Sequence, residues 1–193
     1  MTSPDGASAS TPRDPDLLAA LRKDPIRGLP AVLDRYQVRL LRQAGAILLD
    51  GDAAQDVVQE SFLRLLGNGH RIDDLPAWLH RVTHNLAVDH LRREARLKKL
   101  HVDAAGGAEA LAEPADRALD RREIAEKLQQ EIQGLAPNER AVLYLKVKEG
   151  RSYKEISLIT GLTTSNVGYL IHQAVKKLST RLSPSRNRKE KVR

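Results

Sequence analysis

The segment Ser152–Leu178, SYKEISLITGLTTSNVGYLIHQAVKKL, constrains the fold of this chain more than any other. Ser152 and Glu155 have the spacing of an S-x-x-E capping box, in which a hydroxyl and a carboxylate each satisfy a backbone N–H of a new helix. A helix is therefore predicted from Tyr153. Ile156 and Ile159 supply its apolar face. Gly161 stands where helices end in a left-handed residue, and Thr163 can cap a second helix running from about Thr164 to Leu178. Two helices joined by a glycine-containing turn form a helix-turn-helix, whose second helix usually lies in the DNA major groove. The alternative is an ordinary surface helical hairpin.

At 3.6 residues per turn, Val167, Ile171, Ala174 and Leu178 share one stripe, with Leu170 and Val175 beside it. That stripe should pack on the first helix. The opposite face carries Asn166, Tyr169, His172, Gln173 and Lys176. Thr164, Ser165 and Asn166 occupy the helix N-terminus, the part that meets base edges in this docking geometry.

The rest of the composition agrees with helices. Ala and Leu dominate, β-branched alternation is scarce, and only six residues are aromatic, so the expected fold class is all-α. No apolar run reaches about 18 residues, so no transmembrane helix is expected. The N-terminus lacks the apolar core of a secretory signal. There is no cysteine, which excludes disulfides and thiolate chemistry. A cytoplasmic location is expected. The excess positive charge is local: residues 146–193 hold twelve basic and three acidic side chains, whereas residues 101–145 are net negative. A basic patch on a helix-turn-helix is the footprint of phosphate contact.

The pattern suggests two small helical domains joined by a flexible linker. Residues 1–29 read as a disordered or partly helical tail. The first block, about 30–100, holds a helix over Ala31–Leu49, a break at Asp50-Gly51, and a helix over Ala53–Leu66 opened by an Asp52/Gln55 box. After a polar loop at His70–Leu75 comes a helix from Pro76 to about Arg96. Residues 101–117, with Gly-Gly, Pro and no apolar stripe, read as the linker. The second block, 118–182, holds a helix near Arg121–Gln133, one from Pro137 to Gly150, and the helix-turn-helix. A basic tail, 183–193, follows.

Two faces of the first block carry chemistry. On Ala53–Leu66 the stripe Val58, Phe62, Leu65 and Leu66 is for burial, while Asp52, Asp56, Gln59 and Glu60 surround Leu63 on the other side. An apolar residue ringed by acids and amides suits an interface with a basic partner, although isolated exposed leucines are common. On Pro76–Arg96, Trp78, Leu79, Val82 and Leu86 lie on one side. His80, Arg81, His84 and Arg92 lie on the other, a face suited to a phosphate backbone. Trp78 fits either a core position or a platform for an unpaired base. His80 and His84 are spaced i, i+4, but no third metal ligand stands at a convincing spacing, so neither metal nor other cofactor is expected. Asp73-Asp74 reads as a loop pair. No phosphate loop, carboxylate dyad or serine elbow is found, and no enzymatic activity is expected.

Three segments in order resemble the extracytoplasmic-function sigma factors of bacterial RNA polymerase, over about residues 30–182. GDAAQDVVQESFLRLL is similar to the polymerase-binding helix of region two, and LPAWLHRVTHNLAVDHLRRE to its promoter-melting and minus-ten helix. LAPNERAVLYLKVKEGRSYKEISLITGLTTSNVGYLIHQAVKKL is similar to region four, which reads the minus-thirty-five element. The resemblance implies a subunit that binds core polymerase, through the β′ clamp helices and the β flap, and directs it to promoter DNA. Asp52, Asp56, Gln59, Glu60 and Leu63 would dock on polymerase. Trp78, Asn85, Asp89, Arg92 and Arg93, with the loop His70–Leu75, would capture the melted minus-ten strand. Thr164, Ser165, Asn166, Tyr169 and Gln173 would read minus thirty-five, with Lys176, Lys177 and Arg181 on phosphates. The linker would run near the RNA exit path, and an anti-sigma factor is a further expected partner.

Family members often carry Lys and Arg along the recognition helix where this chain has Gly168, Leu170, Gln173 and Val175, so arginine readout of guanine is not expected there. Leu170 and Val175 are instead candidates for contact with an inhibitor. The competing expectation is a stand-alone helix-turn-helix regulator, which has no need of the acidic Asp52–Leu63 face.

Overall fold

The computed structural model describes residues 12–102 and 121–182. Their regular structure is helical throughout: α1 Asp14–Lys23, α2 Pro25–Leu48, α3 Gly51–Asn68, a 3-10 turn Gly69–Arg71, α4 Leu75–Val102, α5 Arg121–Gln133, α6 Pro137–Val147, α7 Tyr153–Thr160 and α8 Thr164–Leu182. The linker expected at 101–117 lies outside the described residues except for 101 and 102, which continue α4, and the basic tail lies outside them altogether.

The first domain begins earlier than its sequence pattern suggests. Within the segment read as a tail, α1 buries Leu17, Leu18 and Leu21 in the main core. Asp24 then caps α2, its Oδ1 accepting from Ile26 N and Arg27 N at 3.1 Å each, with Pro25 at the first helical position. The turn between α1 and α2 is tight enough to require glycine: a Cβ on Gly28 would stand 2.7 Å from both Leu21 Cα and Leu21 N. Between α2 and α3 the chain reverses over two residues, Leu49 in the left-handed region (φ 63°) and Asp50. Asp50, not Asp52, is the cap of α3: its Oδ1 accepts from Asp52 N at 2.9 Å and Ala53 N at 3.0 Å. The Asp50-Gly51 pair therefore ends one helix and starts the next.

α2 packs against α1, α3 and α4 around Val32, Tyr36, Leu40, Ala44, Ile47, Val58, Phe62, Leu65 and Leu79. Burying such side chains is worth about 1.5–3 kcal/mol each and is the main term holding the helices together. Two polar groups inside this core satisfy each other: Ser61 Oγ and Thr83 Oγ1 stand 3.0 Å apart, joining α3 to α4.

The second domain forms as the capping signals predict. Ser152 Oγ accepts from Glu155 N (3.2 Å), and Glu155 Oε2 accepts from Ser152 N (2.8 Å). The Ser152 hydroxyl also donates to Glu155 Oε2 at 2.6 Å, and this bond, with the Ser152 N–H and Arg151, holds the Glu155 carboxyl down at about 2. Gly161 ends α7 with φ 73°, and Thr163 Oγ1 accepts from Asn166 N at 3.2 Å. Val142, Leu145, Ile156, Ile159 and Val167 form the core of the helix-turn-helix, and Leu135, Ala174 and Leu178 a second cluster beside it.

The domains pack on each other, α6 against α2 and α7 against α4. Ala141 of α6 is fully buried within the first domain's core. Arg81 Nε donates to Leu158 O at 2.8 Å, and the Arg140 guanidinium donates to Ile47 O.

Candidate functional site

On α3, Asp52, Asp56 and Gln59 are exposed, and Leu63 is 56% exposed among them. Glu60 is partly covered and pairs with Arg64 at 2.8 Å, one helical turn away. Beside this row lies a groove of about 420 Å³ between α2 and α3, lined by Leu29, Leu33, Leu41, Val58, Phe62, Leu63 and Leu66 and edged by Gln37, Gln55 and Gln59. The α2 side of the groove was not singled out from the sequence. Leu29, Leu33 and Leu41 repeat at multiples of four, and that spacing on a helix already buried on another side is the signal that marks them.

On α4 the spacing of Trp78, Asn85, Asp89 and Arg92 (seven, four and three residues) places all four on one stripe. Asn85, Asp89, Arg92 and Arg93 are exposed, and Asp89 Oδ1 holds Arg92 at 3.1 Å. Trp78 is half-buried at the edge of the core, so its ring both packs and borders the polar stripe. The side chain of His70, in the preceding loop, lies outside the described set.

The expectation for His80 and His84 needs correction. Neither faces outward toward phosphate: they are 1% and 4% exposed, beneath α7. Burial first, with nearby arginines second, pushes both imidazoles down to about 4, so they are neutral at pH 7. Leu79, Thr83 and Ala87, all buried, mark the centre of the covered face, which is one residue round from the stripe read from apolar residues alone. Among the described residues no group of three possible ligands could hold a metal.

On α8, Thr164, Ser165, Asn166, Tyr169 and Lys176 are exposed, and Gln173 Nε2 donates to Tyr169 Oη at 3.0 Å. The two lysines that end the row part company. Lys176 projects to solvent, whereas Lys177 Nζ donates to both oxygens of Glu139, at 2.7 and 2.9 Å. Leu170 packs against the helix-turn-helix core, and Val175 is 51% exposed. Gly168 lets α8 approach Tyr153, whose ring edge would be 3.4 Å from a Cβ there; Lys146 Nζ sits 5.3 Å from the centre of the same ring. Arg181 pairs with Glu131 at 3.1 Å, which ties α8 to α5.

The chain thus presents an apolar groove between α2 and α3 beside a row of exposed acids, a polar stripe on α4 and a helix-turn-helix with a polar N-terminal end on its second helix. None of the helices among the described residues is long and apolar enough to cross a membrane.

Comparison with known proteins places the chain in one family. Residues 32–97 match the model of sigma-70 region 2, and residues 125–178 that of sigma-70 region 4. The chain is 35% identical to the ECF RNA polymerase sigma factor SigL of Mycobacterium tuberculosis over 157 residues, covering 77% of this chain and 81% of that protein. It is 28% identical to the RNA polymerase sigma-H factor of Pseudomonas aeruginosa over 183 residues, covering 89% and 95%. Among solved structures, CnrH in complex with the cytosolic domain of CnrY is similar with a TM-score of 0.58 and 25% identity, covering 86% of this chain and 94% of that one. In fold alone, the sigma factor RpoE of Bartonella quintana, in complex with the anti-sigma factor NepR, is similar with a TM-score of 0.57 and 20% identity, covering 86% and 98%. The chain belongs to the extracytoplasmic-function sigma factors, the sigma-70-type subunits that direct transcription initiation by bacterial RNA polymerase.

Proposed function

We propose that the first domain docks on core polymerase through the outer face of α3, and that promoter DNA is read in two places, by the polar stripe of α4 and by the N-terminal half of α8. The observation that carries the docking assignment is the setting of Leu63: an apolar residue more than half exposed, on a helix face with exposed Asp52 and Asp56 and beside a groove edged by glutamines. Such a setting suits a basic helical partner, and the β′ clamp helices are that partner in this reading, with the β flap held by the second domain.

Asn85, Asp89, Arg92 and Arg93 hold the melted minus-ten strand, with Trp78 offering a ring edge to an unstacked base. Thr164, Ser165, Asn166 and Tyr169 read the minus-thirty-five element, with Gln173 orienting the Tyr169 hydroxyl and Lys176 on a phosphate. Lys177 is assigned to Glu139 instead. The polymerase performs the chemistry and this chain supplies recognition only. The domain limits, 30–100 and 118–182 with α1 added to the first, follow the same reading. An anti-sigma factor is a further partner, supported by the likeness to CnrH bound to CnrY, and Val175 is the apolar contact that α8 leaves free for it.

The test is Asp56→Arg. It should weaken co-purification with core polymerase about tenfold or more through like-charge contact, and leave binding to a minus-thirty-five duplex as it was. Unchanged core affinity would remove α3 from the docking surface. Run-off transcription with core enzyme separates this reading from a stand-alone regulator.

A further inference from the structure

Beside the buried Ala141, the contact between the two domains takes charged and polar groups out of water. Arg140, 7% exposed, donates to Gln133 O and Leu135 O in its own domain and across the interface to Ile47 O. Ile47 lies in the last turn of α2, where unpaired carbonyls and the helix dipole favour a cation. Beside it a chain of bonds runs from α2 through α4 to the segment before α7. Gln43, wholly buried, donates its amide N–H to His80 O. A carbonyl only accepts, so this bond fixes which end of the amide is oxygen. That oxygen meets His80 Nδ1, which must therefore carry the proton. His80 Nε2 is left with a lone pair, and Arg151 Nη2 donates to it at 3.4 Å.

The arrangement admits only the neutral imidazole. A second proton on Nε2 would remove the acceptor and set a cation against the Arg151 guanidinium. The charged groups facing His80 are Arg39 of α2 and Glu149 and Arg151 ahead of α7; Glu149 alone favours protonation, and burial with Arg151 outweighs it. One turn along α4, His84 is buried in the same interface, at the wall of a cleft of about 390 Å³ shared with Asn138, Thr160 and Leu162. Its nearest charge is Arg92 on its own helix, which also opposes protonation.

We propose that, free of polymerase, the chain is held closed by the Arg140 and Gln43–His80–Arg151 contacts, and that proton uptake by His80 releases the second domain. The closed form cannot engage a promoter. It sets α7 directly on α4 and faces Asn85, Asp89 and Arg92 across the cleft with the helix-turn-helix. The two promoter elements, by contrast, lie about 25 base pairs, or roughly 80 Å, apart along the duplex. This part of the inference rests on the assignment of α4 and α8 as the DNA-reading helices.

The sign follows from linkage. In the closed form His80 takes up its proton only near pH 4; once open and hydrated it titrates nearer its ordinary value of 6.5. Closure is therefore undisturbed above the open-state value and is lost progressively as pH falls from there toward 4. Between pH 7.5 and 5.5 the open-to-closed ratio rises up to about tenfold for His80, and His84 adds in the same direction.

The chain has no cysteine, so a dye pair can be placed by Val38→Cys in α2 and Ser179→Cys in α8, both exposed. Single-molecule energy transfer on the full chain should show a compact population at pH 7.5 and an open one that grows at pH 5.5. His80→Gln should reduce that growth, and His80→Gln with His84→Gln should abolish it. Arg140→Met should open the chain at both pH values; if it does not fold, Arg151→Ala, at a partly exposed side chain, replaces it. Retained helicity and core-polymerase binding identify folded variants. A distance that ignores both acid and Arg140→Met, or an acid response unaltered in the double histidine variant, overturns the proposal. Failure of the wild type to bind core polymerase would instead overturn the functional reading and leave the distance measurement valid.

Discussion

Lys176 and Lys177 are adjacent in α8, but the structure gives them different surroundings, and the consequence is measurable. Lys177→Met removes the partner of Glu139, whose side chain is 6% exposed and whose second bond is from Ala136 N at 2.9 Å. Breaking a fully buried pair by removing one member costs about 3–5 kcal/mol; water reaches the Lys177 side chain, 43% exposed, and reduces this to about 2 kcal/mol. Met and Lys have similar helix propensities, so the backbone adds little. Lys176→Met should instead leave stability unchanged and lower the slope of log affinity against log salt by about 0.9, the share of one phosphate contact.

The pair also carries a pH signature. Burial raises the Glu139 pKa, but the Lys177 hydrogen bond and the Ala136 N–H outweigh it and hold the group below its ordinary 4.5. The stability this provides is present above the ordinary value and lost as pH falls through the lowered one. Without Lys177 the chief group opposing burial is lost and less of this stability remains to lose, so the gap between wild type and variant should narrow in acid. Urea unfolding at several pH values and fluorescence anisotropy on a minus-thirty-five duplex across a salt series measure both quantities. A Lys177→Met protein of wild-type stability with a reduced salt slope would place Lys177 on a phosphate and refute the argument.

Gly28→Ala and Gly45→Ala, both in α2, should act in opposite directions. At Gly28 the new Cβ meets the Leu21 backbone at 2.7 Å, and overpacking of about 1–3 kcal/mol should exceed the helix-propensity gain. At Gly45 nothing stands within 4 Å, and thermal unfolding should show a gain of up to about 1 kcal/mol; equal shifts in the two would mean that propensity alone decides. Asn166→Ala should lose about 1–3 kcal/mol at one or two bases of the minus-thirty-five element in a binding-site selection. A loss uniform across sequences would make Asn166 a phosphate contact.

How much of this was legible in the sequence depended on whether the signal was local. The Ser152/Glu155 box, Gly161 and Thr163 act within four residues, and the structure uses each as read. Asp50 and Asp52 both precede the same apolar stripe, and the left-handed turn at Leu49, of which a leucine gives no hint, makes Asp50 the cap. The leucines of α1 are as apolar as any in the core, but Pro and Asp on either side made the segment resemble a tail. The surroundings of His80, His84 and Lys177 are not legible in the sequence for a single reason. Each meets its neighbours across distant parts of the chain, and helical periodicity reports only which face a residue shares, not what covers that face.

Of the three arginines that cross between the domains, Arg151 ends on the His80 ring, whereas the other two end on main-chain oxygens, Arg140 on Ile47 O and Arg81 on Leu158 O. A carbonyl is present whatever residue occupies the position, so no substitution at 47 or 158 deletes either acceptor. Sequence drift on the accepting side is therefore limited by volume at Ile47, which is fully buried, and hardly at all at Leu158, which is half exposed. The informational burden of these two bonds falls on their donors. Genetic suppressors of a weakened contact should accordingly arise around Arg81 and Arg140 or in the packing beneath them, and not as compensating changes in the identity of their partners.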